Sequence, residues 1–395
     1  MVRISQIREV AVKIAVPREI RPNENRVALD PDCCGKLVRL GAEVAVEAGA
    51  GTRAYLPDQA YRDAGATLVD APDRLLGEAD LVVKVNPPEL RPDGRHEADL
   101  LRPGGLLLAS LFPTRNLDGM RRLAERGVTA FSTDCIPRTT RAQAMDTLSS
   151  QANIVGYKGV LLGAVELPRY FPMLMTAAGT ILQAKVFVIG AGVAGLQAIA
   201  TARRLGAAVT ATDVRPEVKE QIESVGGKYV GIELARSAAA GGGYAAELSG
   251  ADQARQARLL AEHCATVDMV VTTALIGGVT APKLIDAAIV ATMRPGAVVV
   301  DLGADGGGNC TLSSLGGMVL VDGVKVLAPL NLPATVPYHA STLFARNLYN
   351  FLAAFWDPEA ARLRLDWSDD LLGGCCVTRD GQVVHGPTRR ALESA

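Results

Sequence analysis

Residues 185–213, KVFVIGAGVAGLQAIATARRLGAAVTATD, constrain the fold more than any other stretch of the chain. They carry G-x-G-x-x-G at Gly190, Gly192 and Gly195, between a strand-like run and a helix-like one. A second strand-like run ends in Asp213, 23 residues after Gly190. In that frame each glycine has a task. Gly190 allows the tight turn, Gly192 lets backbone approach a pyrophosphate, and Gly195 lets helix and strand pack closely. The helix N-terminus then presents unpaired N–H groups and a positive dipole end to phosphate. Asp213 is placed to accept hydrogen bonds from the adenosine ribose hydroxyls. Its charge repels a 2′-phosphate, which favours NAD(H) over NADP(H). Arg215 lies two residues on and is a cation able to accept such a phosphate.

The rest of the chain repeats the same alternation. Strand-like runs occur at 12–16, 42–48, 80–85, 105–111 and 129–133, and again at 185–190, 208–213, 228–232, 268–274, 297–302 and 324–329. Most are continuous apolar runs, as in strands buried on both faces of a parallel sheet. The 395 residues suffice for two or three domains. The expected fold is α/β: two Rossmann-like, doubly wound parallel-sheet domains separated by a cleft. The first is expected to be discontinuous, residues 1–145 with 325–395, and the second, NAD(H)-binding, to span 146–324. Residues 142–167 read as a helix, as do 341–355, and the tail after 356 as charged and turn-rich.

Composition excludes several classes. Forty-one Lys and Arg balance 42 Asp and Glu, so no bulk field draws in nucleic acid or an anionic membrane. The longest apolar stretch, 154–167, is interrupted by Lys158 and falls short of the ~18 residues a membrane span needs. The N-terminus is too charged for a signal peptide, and the seven Cys have no metal-type spacing. A reducing, cytoplasmic setting is expected. His96, His263, His339 and His385 show no ligand spacing either, so no metal is expected.

Longer motifs narrow the reading. Residues 137–160 (PRTTRAQAMDTLSSQANIVGYKGV), 175–207, 242–248 (GGYAAEL) and 301–310 (DLGADGGGNC) resemble the NAD(H)-binding domain I of proton-translocating nicotinamide nucleotide transhydrogenase. So do the opening VKIAVPREIRPNENRVAL (12–29) and the late CVTRDGQVVH (376–385), so the resemblance covers nearly the whole chain. Alanine dehydrogenase shares the framework and is the alternative. It resembles this chain at Arg26 and Lys84, with a second Lys two residues after the latter and a His at the end of the next strand. Here those two positions hold Asn86 and Phe112. Neither is an acid or base near neutral pH. Reductive amination requires proton transfer, whereas hydride exchange between two nicotinamides requires none. The missing pair therefore favours transhydrogenase.

The resemblance implies site residues. Arg138, Gln143, Asp146 and Ser149 match a loop around the nicotinamide, where a carboxamide presents one acceptor oxygen and an NH₂ donor. Arg141, in the same loop, can make the contact assigned to Arg138. Gly243 and Tyr244 match a mobile loop that closes over NAD(H), with the triple glycine 241–243 as hinge. Val193, Ala194, Val214, Arg215, Ala274 and Leu275 complete the expected cofactor contacts, and Asp305 is expected to line the site. The implied enzyme is an NAD(P) transhydrogenase of the Si-Re-specific type. NADP(H) is held on a partner subunit's domain III, and a transmembrane domain II subunit couples exchange to proton translocation. The chain is expected as a homodimer, peripheral on the inner face of the membrane through those partners.

Overall fold

The computed structural model describes residues 12–231, 239–240, 244–245, 250–275 and 280–394. It divides into two compact units, residues up to 151 together with those from 334, and residues 152–333.

The first unit is built on strands β1 (Lys13–Val16), β2 (Glu43–Glu47), β3 (Thr67–Val69), β4 (Leu81–Val83), β5 (Leu106–Ala109) and β6 (Thr129–Ser132). These run parallel in the order β6-β5-β4-β1-β2-β3. Alternate residues point to opposite faces, so both faces are apolar. Ile14, Val16, Val44, Val46, Leu81 and Val83 enter one core. Ala15, Ala45, Val82, Leu107 and Ala109 enter the other.

In the second unit, β7 (Leu174–Thr176) and β8 (Gly179–Ile181) form a separate hairpin. The main sheet holds β9 (Lys185–Ile189), β10 (Ala208–Thr212), β11 (Lys228–Tyr229), β14 (Met269–Thr272), β15 (Val298–Asp301), β16 (Met318–Val321) and β17 (Val324–Leu327). Its order is β11-β10-β9-β14-β15-β17-β16, parallel except for β16. Two residue pairs, β12 (Ala239–Ala240) and β13 (Tyr244–Ala245), form a minimal ladder. Val186 and Val188 pack on one side of β9, and Phe187 and Ile189 on the other.

After residue 334 the chain belongs to the first unit. Helix Pro337–Ala354 buries Phe344, Leu348 and Phe351 in its core. A short ladder, β18 (Trp356–Asp357) with β19 (Arg362–Leu363), follows. Then β20 (Cys376–Arg379) pairs antiparallel with β6 and with β21 (Gln382–Val383). Among the described parallel strands, chain order reverses between β1 and β4 in one sheet and between β9 and β14 in the other. Ligand sites of doubly wound folds lie beyond the carboxyl ends of the strands at such points.

Candidate functional site

At the reversal in the second unit, β9 ends at Ile189 and the glycine turn begins. Gly190 has φ +94°, a conformation that favours glycine. Thr273, just past β14, donates its hydroxyl to the Gly190 carbonyl at 2.9 Å. A Cβ on Gly195 would lie 1.9 Å from that same carbonyl oxygen, so helix Val193–Arg204 packs on the turn only because glycine is there. Gly192 differs: a Cβ there would meet nothing within 4 Å. Gly192 is the N-cap residue and supplies no side-chain cap. The N–H groups of Val193, Ala194 and Gly195 therefore have no acceptor within the helix. A backbone cradle with open space in front of Gly192 and a positive helix end suits an anionic diphosphate.

Asp213 follows β10. Its carboxylate accepts four hydrogen bonds, two on each oxygen. Oδ1 takes the Arg215 backbone N–H and Nε, both at 2.9 Å. Oδ2 takes the Ala191 backbone N–H at 2.7 Å and Arg215 Nη2 at 2.9 Å. Asp213 thus ties the glycine turn to the end of β10. Opposite it, the buried Asn309 side chain binds Ala274 through both its N–H and its carbonyl. The fully buried Asp301 fixes that loop by accepting from Thr272, Gly303, Asn309, Cys310 and Ser313. Val193 is exposed, and Val214 and Leu275 are half-buried. Asp305 is exposed on the loop after β15.

In the first unit the corresponding reversal is filled by ionic side chains. Lys84, fully buried after β4, binds both oxygens of Glu97 at 2.9 Å, with Glu19 at 3.8 Å. Arg26 forms a two-pronged pair with Glu24, through Nε at 2.8 Å and Nη2 at 2.7 Å, and reaches Gln151 at 3.0 Å. Asn86 bridges the cluster, donating to Glu19 at 3.2 Å and Glu24 at 3.0 Å and accepting from Arg21 at 3.1 Å. Burial pushes Glu19 up, and Lys84 only partly offsets it. Burial also acts on Glu24, but the hydrogen bonds and charge of Arg26 outweigh it and hold the carboxyl at about 2. Lys84 is raised, because Glu19 and Glu97 outweigh its burial. Phe112, beyond β5, is 39% exposed with φ +46° and is held by Asp134, which accepts its N–H at 3.2 Å.

The segment carrying Arg138, Gln143, Asp146 and Ser149 is a 3₁₀ turn, Thr140–Met145, followed by helix Thr147–Glu166. The helix expected over 142–167 is thus interrupted at Asp146, whose carboxylate caps the new start. It accepts the Ser149 N–H at 2.8 Å and hydroxyl at 2.6 Å. Asp146 and Ser149 are therefore one hydrogen-bonded pair. Arg138 and Gln143 are exposed on the preceding turn. Arg141 pairs with Asp369 at 2.7 Å.

The chain is similar to known proteins in sequence and fold. The profile of the alanine dehydrogenase/PNT N-terminal domain matches residues 15–155, and that of the C-terminal domain matches 159–386. The chain belongs to the alanine dehydrogenase/PNT family. Within that family it is 46% identical over 376 residues to an NAD(P) transhydrogenase subunit alpha chain of Rhodospirillum rubrum, covering 95% of this chain and 98% of that one. Its fold superimposes on a transhydrogenase from Sinorhizobium meliloti with a TM-score of 0.85 at 42% identity, covering 94% and 100% of the two chains. It also superimposes on an L-alanine dehydrogenase with a TM-score of 0.79 at 26% identity, covering 97% and 99%. Both units have the Rossmann-like parallel-sheet architecture of the family.

Gly243 lies outside the described residues, and for Tyr244 only the backbone, in β13, is described. The residues that sequence reasoning missed are Glu19, Glu24 and Glu97 in the first unit and Asp301 and Asn309 in the second. The acidic residues within PREIRPNENR carried a signal, since charged groups just past an apolar strand are placed at a sheet's carboxyl end. Among the described residues, no group of three or more His, Cys, Asp or Glu side chains could hold a metal ion. No described helix is long and apolar enough to cross a membrane.

Proposed function

We propose that this chain is the NAD(H)-binding component of a proton-translocating NAD(P) transhydrogenase. It holds NADH so that hydride passes directly to NADP⁺ carried on a partner subunit's domain III. A transmembrane domain II subunit couples that exchange to proton movement. Bound NADH supplies the hydride, and the chain's own residues supply position. The N–H groups of Val193, Ala194 and Gly195 receive the pyrophosphate over Gly192, and Asp213 receives the adenosine ribose. Val214, Ala274 and Leu275 flank the dinucleotide. Arg138 and Gln143 donate to the nicotinamide carboxamide oxygen. Ser149, whose hydroxyl proton is committed to Asp146, keeps its lone pairs to accept from the carboxamide NH₂.

The observation that carries this reading over an amino acid dehydrogenase is the state of Arg26 and Lys84. Their charged heads are matched by Glu24 and Glu97 inside the protein. Asn86 and Phe112 offer no titrating group beside them. An amino acid carboxylate would have to displace internal carboxylates from a buried site, at a cost of several kcal/mol. Mixing the chain with an NADP(H)-binding transhydrogenase subunit, NADH and an NADP⁺ analogue tests the proposal. Reduction of the analogue in the mixture, and none with either protein alone, is expected. Alanine-dependent reduction of NAD⁺ by the chain alone would overturn it.

The homodimer is assigned to the hairpin β7–β8. Met175 is 72% and Leu182 74% exposed there, and Met173 and Ile181 are exposed beside them. A hollow of about 600 Å³ lined by Pro168, Tyr170, Phe171 and Pro172 lies in the same stretch of chain. The dimer docks on the cytoplasmic face of the membrane through its partner subunits.

A further inference from the structure

A carboxylate offers about four lone-pair directions. In Asp213 all four are taken, two by backbone N–H groups and two by the guanidinium of Arg215. The pair is nearly dry, with side chains 5% and 10% exposed. Neither backbone donor can leave without unmaking the turn, because one belongs to Ala191, between Gly190 and Gly192. Arg215 is the only one of these partners able to move independently of the main chain. A ribose diol reaching Asp213 must therefore displace Nε or Nη2 of Arg215. The displaced guanidinium remains tethered two residues from the ribose-binding carboxylate, with its fork geometry suited to a phosphate.

Resting on the assignment of this turn to NAD(H), we propose that Arg215 is a specificity-determining residue that limits the preference for NAD(H) over NADP(H). It competes with the NAD(H) ribose for Asp213. Once released, it offers a 2′-phosphate a compensating cation. The residue thus weakens binding of the preferred nucleotide and strengthens binding of the other.

Fluorescence titration of the whole chain with NADH and NADPH tests this. Arg215→Met keeps the aliphatic stem and removes the fork. It is expected to tighten NADH by about threefold to tenfold and weaken NADPH by about tenfold, the range set by the net contribution of one hydrogen bond. Arg215→Lys keeps a positive charge without the two-pronged grip. It is expected to tighten NADH similarly while leaving NADPH within about threefold of wild type. An unchanged ratio of the two dissociation constants in Arg215→Met overturns the proposal. So does parallel weakening of both nucleotides with a lowered melting temperature, which makes Arg215 a pin of the turn instead. If Arg215→Met does not fold, an unchanged NADH affinity in Arg215→Lys overturns it. Wild-type chain that binds neither nucleotide refutes the underlying assignment of the turn, a result distinct from these.

Discussion

Two glycines three residues apart separate stability from binding at the residue scale. A Cβ on Gly195 would lie 1.9 Å from the Gly190 carbonyl oxygen, a contact that only backbone movement relieves. Gly195→Ala is expected to destabilise the chain by more than about 2 kcal/mol, visible as a lower melting temperature. A Cβ on Gly192 meets nothing, and its φ of −74° suits alanine. Gly192→Ala should melt within about 0.5 kcal/mol of wild type. Its NADH affinity should nevertheless fall at least about tenfold, because the methyl occupies the space reserved for pyrophosphate. Unimpaired NADH binding by this variant would remove the phosphate cradle from the proposal. Glu24 gives a pH dependence. Its folded value, about 2, lies below the ordinary 4.5, so its stabilising contribution is fully present above 4.5 and is lost as pH falls toward 2. The full contribution is about 3 kcal/mol. Urea unfolding of wild type should weaken across that window. Glu24→Gln should be less stable at pH 7 and lack that component of the slope, and parallel curves for the two proteins would count against the pairing with Arg26.

At the scale of elements, helix Thr147–Glu166 sets where the glycine turn sits. Cβ atoms on Gly156, Gly159 and Gly163 would lie 2.0 Å from Ala194 O, 2.5 Å from Leu302 Cδ2 and 2.4 Å from Met269 Sδ. Only the first contact is with backbone, and Ala194 is in the first turn of the fingerprint helix. Gly156→Ala is accordingly expected to cost about 2–3 kcal/mol and to weaken NADH together with stability. Gly159→Ala, which a rotamer change at Leu302 relieves, should cost about 1 kcal/mol and spare binding. Equal effects on binding would show that this helix does not position the turn. Legibility in the sequence follows the same physics. The central strands were readable because burial on both faces makes them continuous apolar runs. Thr67–Val69 was not, being three residues at a sheet edge. Met318–Val321 alternates between half-buried and exposed residues as the antiparallel edge strand, which dilutes its apolar signal. The hairpin over 174–181 has no buried face to reveal it. The glycine turn is local and was legible residue by residue. The clamp of Lys84 by Glu97 joins residues 13 apart, and that of Asn86 by Glu24 joins residues 62 apart, so only the folded chain discloses them.

For the whole molecule, the exposed hairpin poses an energetic problem. Two three-residue strands are marginally stable at best in water, and this pair presents Met175 and Ile181 to solvent, with Leu182 exposed just after it. Val165, at 82% exposure, and Tyr170, at 55%, are further exposed apolar side chains in the preceding stretch of chain. A concentration of exposed apolar side chains in one stretch of chain suits an association site, and the hairpin's strand edges add hydrogen-bonding capacity. In the proposed homodimer a symmetric second copy would cover this surface, each hairpin facing the hollow beside the other's Pro168 and Phe171. A charge on each side of that surface should therefore separate the protomers without disturbing the sheets. The double variant Met175→Asp, Leu182→Asp is expected to sediment as a monomer at micromolar concentration, and wild type, on the proposed dimer, at twice that mass. Neither side chain belongs to the glycine turn, so NADH affinity should stay within about twofold. A variant that remains dimeric would move the interface elsewhere. A monomer that no longer binds NADH would instead mean that the nucleotide site depends on the partner copy.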